Sequence, residues 1–264
     1  MSKKILYIGG GFDVLHEDHR KFIIDGIKLF KEKHGVLQKV IIGLKPDLYL
    51  NKTKGEFRPF FPYIWRKEDI SKFLNELEIN HQIIESTDFF LNFKNREDIV
   101  AQVRSDYSLG IAQMKKSNIA TISIKPTNQI NTSTFETKLF DTQKKSNCNL
   151  RKVGAILIRQ GKIIIEGYSG SGDCNKCSKY LAYKKGGGDL SKSVDCEYPH
   201  AEVVVLKKAK KGDDIFITDS PCQKCSELIV AKRVRRVVYI NEYYDLKPII
   251  YLRKNGVKVR KAGT

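Results

Sequence analysis

His200-Ala201-Glu202 is followed about twenty residues later by Pro221-Cys222-Gln223-Lys224-Cys225. No other feature restricts the fold so tightly, because an imidazole and two thiols distant in sequence have to converge. Soft thiolates and an imidazole suit Zn²⁺, and three protein ligands leave a fourth position open for water. Bound Zn²⁺ lowers the pKa of that water towards neutrality. Glu202, two residues after the histidine, need not bind metal and can carry protons between the water and a ring nitrogen. A bare Cys-x-x-Cys also reads as a structural zinc knuckle or a redox pair. The His-x-Glu and the proline before the first cysteine favour the hydrolytic site. Val203 to Leu206 and Ser226 to Ala231 read as helix starts. Each ligand group would then sit at a helix N-terminus, where the positive dipole end favours thiolate and hydroxide.

The H-x-E and P-C-x-x-C pair resembles the signature of zinc nucleobase deaminases. The likeness extends through Arg151 to Ile158, Gly161 to Ile164 and Gly167-Tyr168-Ser169-Gly170, which resemble the opening hairpin of the deoxycytidylate deaminases. Ile215 to Thr218, Ser220-Pro221-Cys222 and Arg236 to Tyr239 resemble that family's later strands. The resemblance covers about Cys148 to Asp245. It implies His200, Cys222 and Cys225 as zinc ligands, Glu202 as the proton carrier, and Tyr168 and Ser169 beside the substrate. The family has asparagine where this chain has Ser169, at a position that touches the sugar. It also implies a homo-oligomer.

Charge and cysteine content narrow the setting. The net charge is +18. Residues 1–146 hold 24 basic and 18 acidic residues, leaving +6, and residues 147–264 hold 24 and 12, leaving +12. Lys207, Lys208, Lys210 and Lys211 form one cluster, and Lys232, Arg233, Arg235 and Arg236 another. Such clusters read as a solvated face, as steering for an anionic nucleotide, or as contact with a nucleic-acid backbone. The six cysteines suit metal binding in a reducing, cytoplasmic compartment better than a disulfide framework. No apolar run has membrane-spanning length, and Met1-Ser2-Lys3-Lys4 does not begin a signal peptide, so no membrane partner is expected.

The first half opens with an apolar strand, Lys4 to Ile8, then Gly9-Gly10-Gly11-Phe12-Asp13, then His16-Glu17-Asp18-His19. A helix from about Arg20 to His34 and a strand from Gln38 to Leu44 follow. This order argues for a parallel sheet with a nucleotide site at the strand ends. Two histidines three apart at a helix N-terminus can face one phosphate chain. The stretch resembles the cytidylyltransferase-like nucleotidyltransferases, with Gly11, Phe12, Asp13, His16 and His19 on the motif. Lys54-Gly55, Arg58-Pro59 and Arg66 resemble that family's basic segment, and Ile119 to Ile124 its last strand. Asn131-Thr132-Ser133-Thr134 resembles its phosphate-holding helix start. The resemblance implies CTP or ATP as ligand, with Mg²⁺. Asp18 stands where that family has glycine, and a carboxylate there would repel a triphosphate. Transfer activity and a degenerate, sensing role therefore both stay open. Lys94 to Met114 is helical in pattern.

The polar stretch from Asp141 to Asn147 reads as the domain boundary, giving a nucleotidyltransferase-like domain over 1–141 and a zinc deaminase domain over 148–264. Cys148, Cys174, Cys177 and Cys196 remain after the first site is assigned, and some deoxycytidylate deaminases hold a second, structural zinc in this region. A Cys₄ zinc is expected, against free thiols. The reading is thus a two-domain α/β protein, a Rossmann-like domain followed by an α/β/α deaminase-like one. Its expected activity is hydrolytic deamination of a cytosine nucleotide, dCMP to dUMP. Deamination of cytosine in RNA or another polynucleotide, and nucleotide-binding regulation, are the alternatives.

Overall fold

The structure is a computed structural model. It describes residues 4–55, 57–87, 93, 96–104, 111–112, 114, 116, 119–125, 133–148, 151–170, 199–243 and 245–264. The chain divides into two compact units, Met1–Ile130 and Asn131–Ala262. None of the described helices is long and apolar enough to cross a membrane.

The first unit holds β1 (Lys4–Gly10), α1 (Glu17–His34), β2 (Leu37–Leu44), α2 (Asp47–Lys54), α3 (Tyr63–Glu76), β3 (His81–Glu85), β4 (Ile99–Arg104) and β5 (Ala120–Ile124). Its strands lie in the order β3-β2-β1-β4-β5, all parallel. Leu6 and Ile8 of β1 enter one core with Ile23, Ile27 and Phe30 of α1, while Ile5 and Tyr7 enter another with Ile99 and Met114. Burial on both faces removes the period-two signal from such strands. That explains β4. The helical pattern expected across Lys94 to Met114 is overturned at Ile99–Arg104, a strand between β1 and β5. A short apolar run does not distinguish a doubly buried strand from a buried helix. Gly26 lets α1 lie close to this strand: a Cβ there would fall 1.7 Å from Gln102 Oε1.

The second unit holds α4 (Ser133–Lys144), β6 (Gly154–Arg159), β7 (Lys162–Tyr168), α5 (Ala201–Leu206), β8 (Asp214–Asp219), α6 (Gln223–Ala231), β9 (Arg236–Asn241), α7 (Lys247–Lys254) and β10 (Lys258–Lys261). The sheet order is β10-β9-β8-β6-β7. The β6–β7 and β6–β8 pairs are antiparallel, and β8, β9 and β10 run parallel. Ile215 and Ile217 share a core with Val205, Ile229 and Leu252 of α5, α6 and α7. Phe216, on the opposite pleat, meets Phe135 of α4 edge-on at 6.2 Å. Helices therefore cover both faces. Each fully buried isoleucine here contributes on the order of 1.5–3 kcal/mol relative to exposure.

The boundary expected in Asp141 to Asn147 overlaps the last turn of α4, whereas the compact units divide between residues 130 and 131. The reason is the apolar face of α4: Phe135 and Leu139 are buried. Gly154 admits the helix, since a Cβ there would lie 2.7 Å from Leu139 O and Gln143 N.

Glu166 of β7 fastens α4 from the side. It pairs with Lys138 at 2.8 Å and Lys145 at 2.9 Å, and accepts the Thr142 hydroxyl at 3.0 Å. Burial alone would raise its pKa, but these three partners outweigh burial and bring it from 4.5 to about 2. A depressed carboxylate contributes stability above its unfolded pKa and loses it as pH falls through the folded one. Glu166→Gln should therefore lower the melting temperature at pH 7, and the gap from the parent should close as pH falls from 4.5 towards about 2. Thermal unfolding at stepped pH checks this.

Candidate metal centre

β8 delivers the chain to the site. All six of its residues are buried. Beyond it, the Ser220 N–H donates to the Asn241 carbonyl at 2.9 Å, and its hydroxyl accepts the Tyr243 N–H at 2.8 Å. These bonds tie the exit of β8 to the exit of β9. Cys222 then takes the N-cap of α6 in extended conformation, and Cys225 lies in the first turn, 1% exposed. His200 takes the corresponding N-cap of α5.

The three side chains converge. His200 Nδ1 lies 3.5 Å from Cys222 Sγ and 3.4 Å from Cys225 Sγ. All three ligand atoms lie within 4.8 Å of one another. Zn–S and Zn–N bonds near 2.3 and 2.05 Å at tetrahedral angles give an S···N separation of about 3.6 Å. The donor set and its spacing thus fit Zn²⁺, and no other such cluster occurs among the described residues.

The four ionisable groups shift one another's pKa values. The Cys222 thiol is brought down to about 4 by its bond with Cys225, with His200 adding to the effect. The Cys225 thiol is pushed up by the same bond and by burial. His200 is raised by its contact with Cys222. Glu202 is 4% exposed and within hydrogen-bonding reach of Cys225. Burial raises its carboxyl to about 7.

Gly167 of β7 fixes where α5 sits. A Cβ there would lie 2.7 Å from the Ala201 carbonyl oxygen and 2.8 Å from Val204 Cβ. In the sequence, Gly167 stands out only as part of the hairpin. A glycine inside a strand is itself a signal of close backbone approach. Asp219, the last residue of β8, carries no such sequence signal. Arg151 reaches its Oδ1 through Nε at 2.8 Å and Nη2 at 2.5 Å, while the guanidinium lies over the Tyr243 ring at 4.6 Å.

Ser169 spends its hydroxyl on hydrogen bonds within the protein. It is 8% exposed. Its hydroxyl donates to the Arg151 carbonyl at 3.0 Å, accepts the Val153 N–H at 2.9 Å and meets the Ser146 hydroxyl at 2.9 Å. Serine is short enough to turn inward and pin the segment before β6. Tyr168, the last residue of β7, is exposed. Cys148 is half-buried, and Cys174, Cys177 and Cys196 lie outside the described residues.

In the first unit, the expected phosphate-binding residues divide into two groups. His16 and His19 stack with ring centroids 3.7 Å apart at the start of α1. His16 is 3% exposed, and neither Nδ1 has a hydrogen-bond partner. Burial lowers both pKa values, that of His19 well below the usual imidazole range. Arg58 and Arg66 instead face the protein. Asp13 accepts Arg58 Nη1 at 3.2 Å and the Phe60 and Phe61 N–H groups at 3.0 Å. Arg66 is fully buried and donates to the carbonyls of Phe61, Gly11 and Lys45 and to Asp47. A guanidinium spent on carbonyls holds the glycine loop in place rather than a phosphate. Gly11 packs on Leu50, Phe12 is buried with φ 45°, and Lys54 ends α2 in solvent. Thr132 and the side chains of Ser133 and Thr134 lie outside the described residues.

The cytidine and deoxycytidylate deaminase zinc-binding region matches residues 130–241. The deoxycytidylate deaminase of Mycobacterium phage D29 is 31% identical over 109 residues, which are 38% of this chain and 85% of that protein. The chain belongs to the cytidine and deoxycytidylate deaminase family. Members of that family are hydrolases, and the zinc-binding match includes His200, Cys222 and Cys225. The deoxycytidylate deaminase of Saccharomyces cerevisiae is 28% identical over 132 residues, 44% of this chain, which spans only 40% of the yeast protein. Among solved structures, the dCMP deaminase of cyanophage S-TIM5 in complex with dCMP and dUMP has 28% identity and a TM-score of 0.39, over 49% of this chain and 95% of that one.

Gly167→Ala would drive a methyl group into the backbone of α5, an overpacking cost of about 1–3 kcal/mol. It should lower the melting temperature and weaken zinc retention, measured by dialysis against a chelator followed by elemental analysis.

Proposed function

We propose that the second unit deaminates dCMP to dUMP. The observation carrying this reading is the convergence of His200, Cys222 and Cys225 beside the buried carboxyl of Glu202. The phage D29 and yeast relatives, both deoxycytidylate deaminases, support the choice of substrate. His200, Cys222 and Cys225 would hold the metal. Zn²⁺, when bound, supplies the Lewis acidity that makes a water molecule reactive near neutral pH. Glu202 takes a proton from that water and gives it to ring N3 as the water oxygen bonds to C4. It then passes the second proton to the exocyclic amine. The C4–N bond breaks, ammonia leaves, and the ring keeps a carbonyl at C4. Burial of Glu202 keeps bulk water from competing for these protons.

Glu202→Gln should retain zinc while turnover falls by roughly 10²–10⁴-fold. Ammonia release from cytidine, CMP, dCMP, dCTP and a short oligonucleotide, alongside metal analysis, tests both statements. Retained turnover would remove Glu202 from its role. Release from the oligonucleotide alone would replace the substrate.

A second reading concerns the first unit, which we propose binds a nucleotide, CTP or ATP. The order β3-β2-β1-β4-β5 reverses direction at β1, and open parallel sheets bind ligands at such switch points. The stacked, neutral His16 and His19 with unpartnered Nδ1 atoms lie at the N-terminus of α1, which follows β1. Anion binding there would return protons to them. Calorimetric titration with CTP and ATP should show binding that His16→Asn with His19→Asn abolishes. Asp18→Gly should tighten binding by removing a carboxylate from the same helix turn.

A further inference from the structure

The end of the second sheet remote from the metal centre is a basic surface with its acids turned inward. The metal ligands Cys222 and Cys225 follow the C-terminal end of β8, whereas three loops meet at the N-terminal ends of β8, β9 and β10. Backbone bonds string them together: Gly212 N–H to Arg233 O at 3.0 Å, Arg235 N–H to Asp213 O at 2.8 Å, and Lys258 N–H to Arg235 O at 3.0 Å. Neighbouring strands stand about 4.8 Å apart, so the loops form one continuous rim.

Lys208, Lys210, Lys211, Lys232, Arg233 and Lys254 are exposed on that rim. Residues 207–212, 231–236 and 253–258 contain no acidic residue. The neighbouring acids Asp213 and Asp214 are 2% and 4% exposed, each bound by an arginine: Arg159 at 2.8 Å and Arg235 at 2.6 Å. The positive charge is therefore left uncompensated outward by construction of the fold. The same loops contain no aromatic residue. Single-strand binding relies on aromatic platforms for stacked bases, whereas a duplex hides its bases and offers phosphates. The six residues of β8, at about 3.3 Å each, put the rim roughly 20 Å from the metal centre. A chain docked there does not present the contacted nucleotides to Glu202.

We propose that this rim docks the phosphate backbone of a double-stranded nucleic acid, without reading its sequence and apart from the deamination site. The test uses the full chain with a fluorescently labelled mixed-sequence 20-base-pair duplex, as DNA and as RNA, in anisotropy titrations at stepped salt. The matching single strand and polyglutamate are the comparison ligands. Duplex affinity should fall steeply with salt, by about 0.9 in the log–log slope per phosphate neutralised. The triple variant K210E/K211E/R233E should weaken duplex binding at least tenfold and flatten the slope, with the melting temperature and ammonia release from dCMP unchanged. Either duplex binding in this way supports the proposal. Parent and variant binding alike, no duplex binding at low salt, tighter binding of the single strand, or equal binding of polyglutamate would each overturn it. Loss of dCMP turnover in both proteins bears on the deaminase reading alone.

Discussion

The metal centre depends on two helix N-termini being held against the ends of buried strands. His200 and Cys222 are both N-caps, and Cys225 is one turn into α6. Neither helix is long, and α5 has only six residues, so their own hydrogen bonds could not hold them. Packing does. Ala201, Val205 and Leu206 are buried with Ile217 and Ile229, and at Gly167 the lack of a side chain lets α5 approach. Small displacements at these contacts reach the ligand atoms directly, because Cys225 and Ala201, the neighbour of His200, are themselves buried in the packing.

Around that centre the chain uses its polar side chains to lock loops. Ser169 turns inward onto Ser146 and the backbone of Arg151 and Val153. Arg151 in turn holds Asp219 at the exit of β8. In the first unit Arg66 and Asp13 do the same for the loop after β1. Buried charges of this kind are tolerated because each is matched by a partner with good geometry, and removing one partner would strand the other. The consequence for function is rigidity at the strand ends, where the candidate sites lie.

The second sheet also separates two kinds of chemistry. One end gathers thiols, an imidazole and a buried carboxyl, which suit a metal and a small polar ring. The other end gathers exposed cations while its carboxylates are neutralised internally. Parallel strands make this division natural, since all their starts lie at one end and all their ends at the other.

The sequence by itself determined the chemistry. His-x-Glu and Pro-Cys-x-x-Cys marked the three side chains that could hold a metal and the carboxyl beside them, because metal coordination demands particular atoms whatever the fold. It also determined β1, α1 and the β6–β7 hairpin, where periodicity and turn residues agree. Tertiary structure alone decided the rest. It made Ile99–Arg104 a central strand, since burial on two faces erases the pattern that distinguishes strand from helix. It moved α4 onto the second sheet, where Phe135 found Phe216. It turned Arg58, Arg66 and Ser169 inward, because the direction of a polar side chain is set by which backbone groups surround it, and those groups are brought there only by folding.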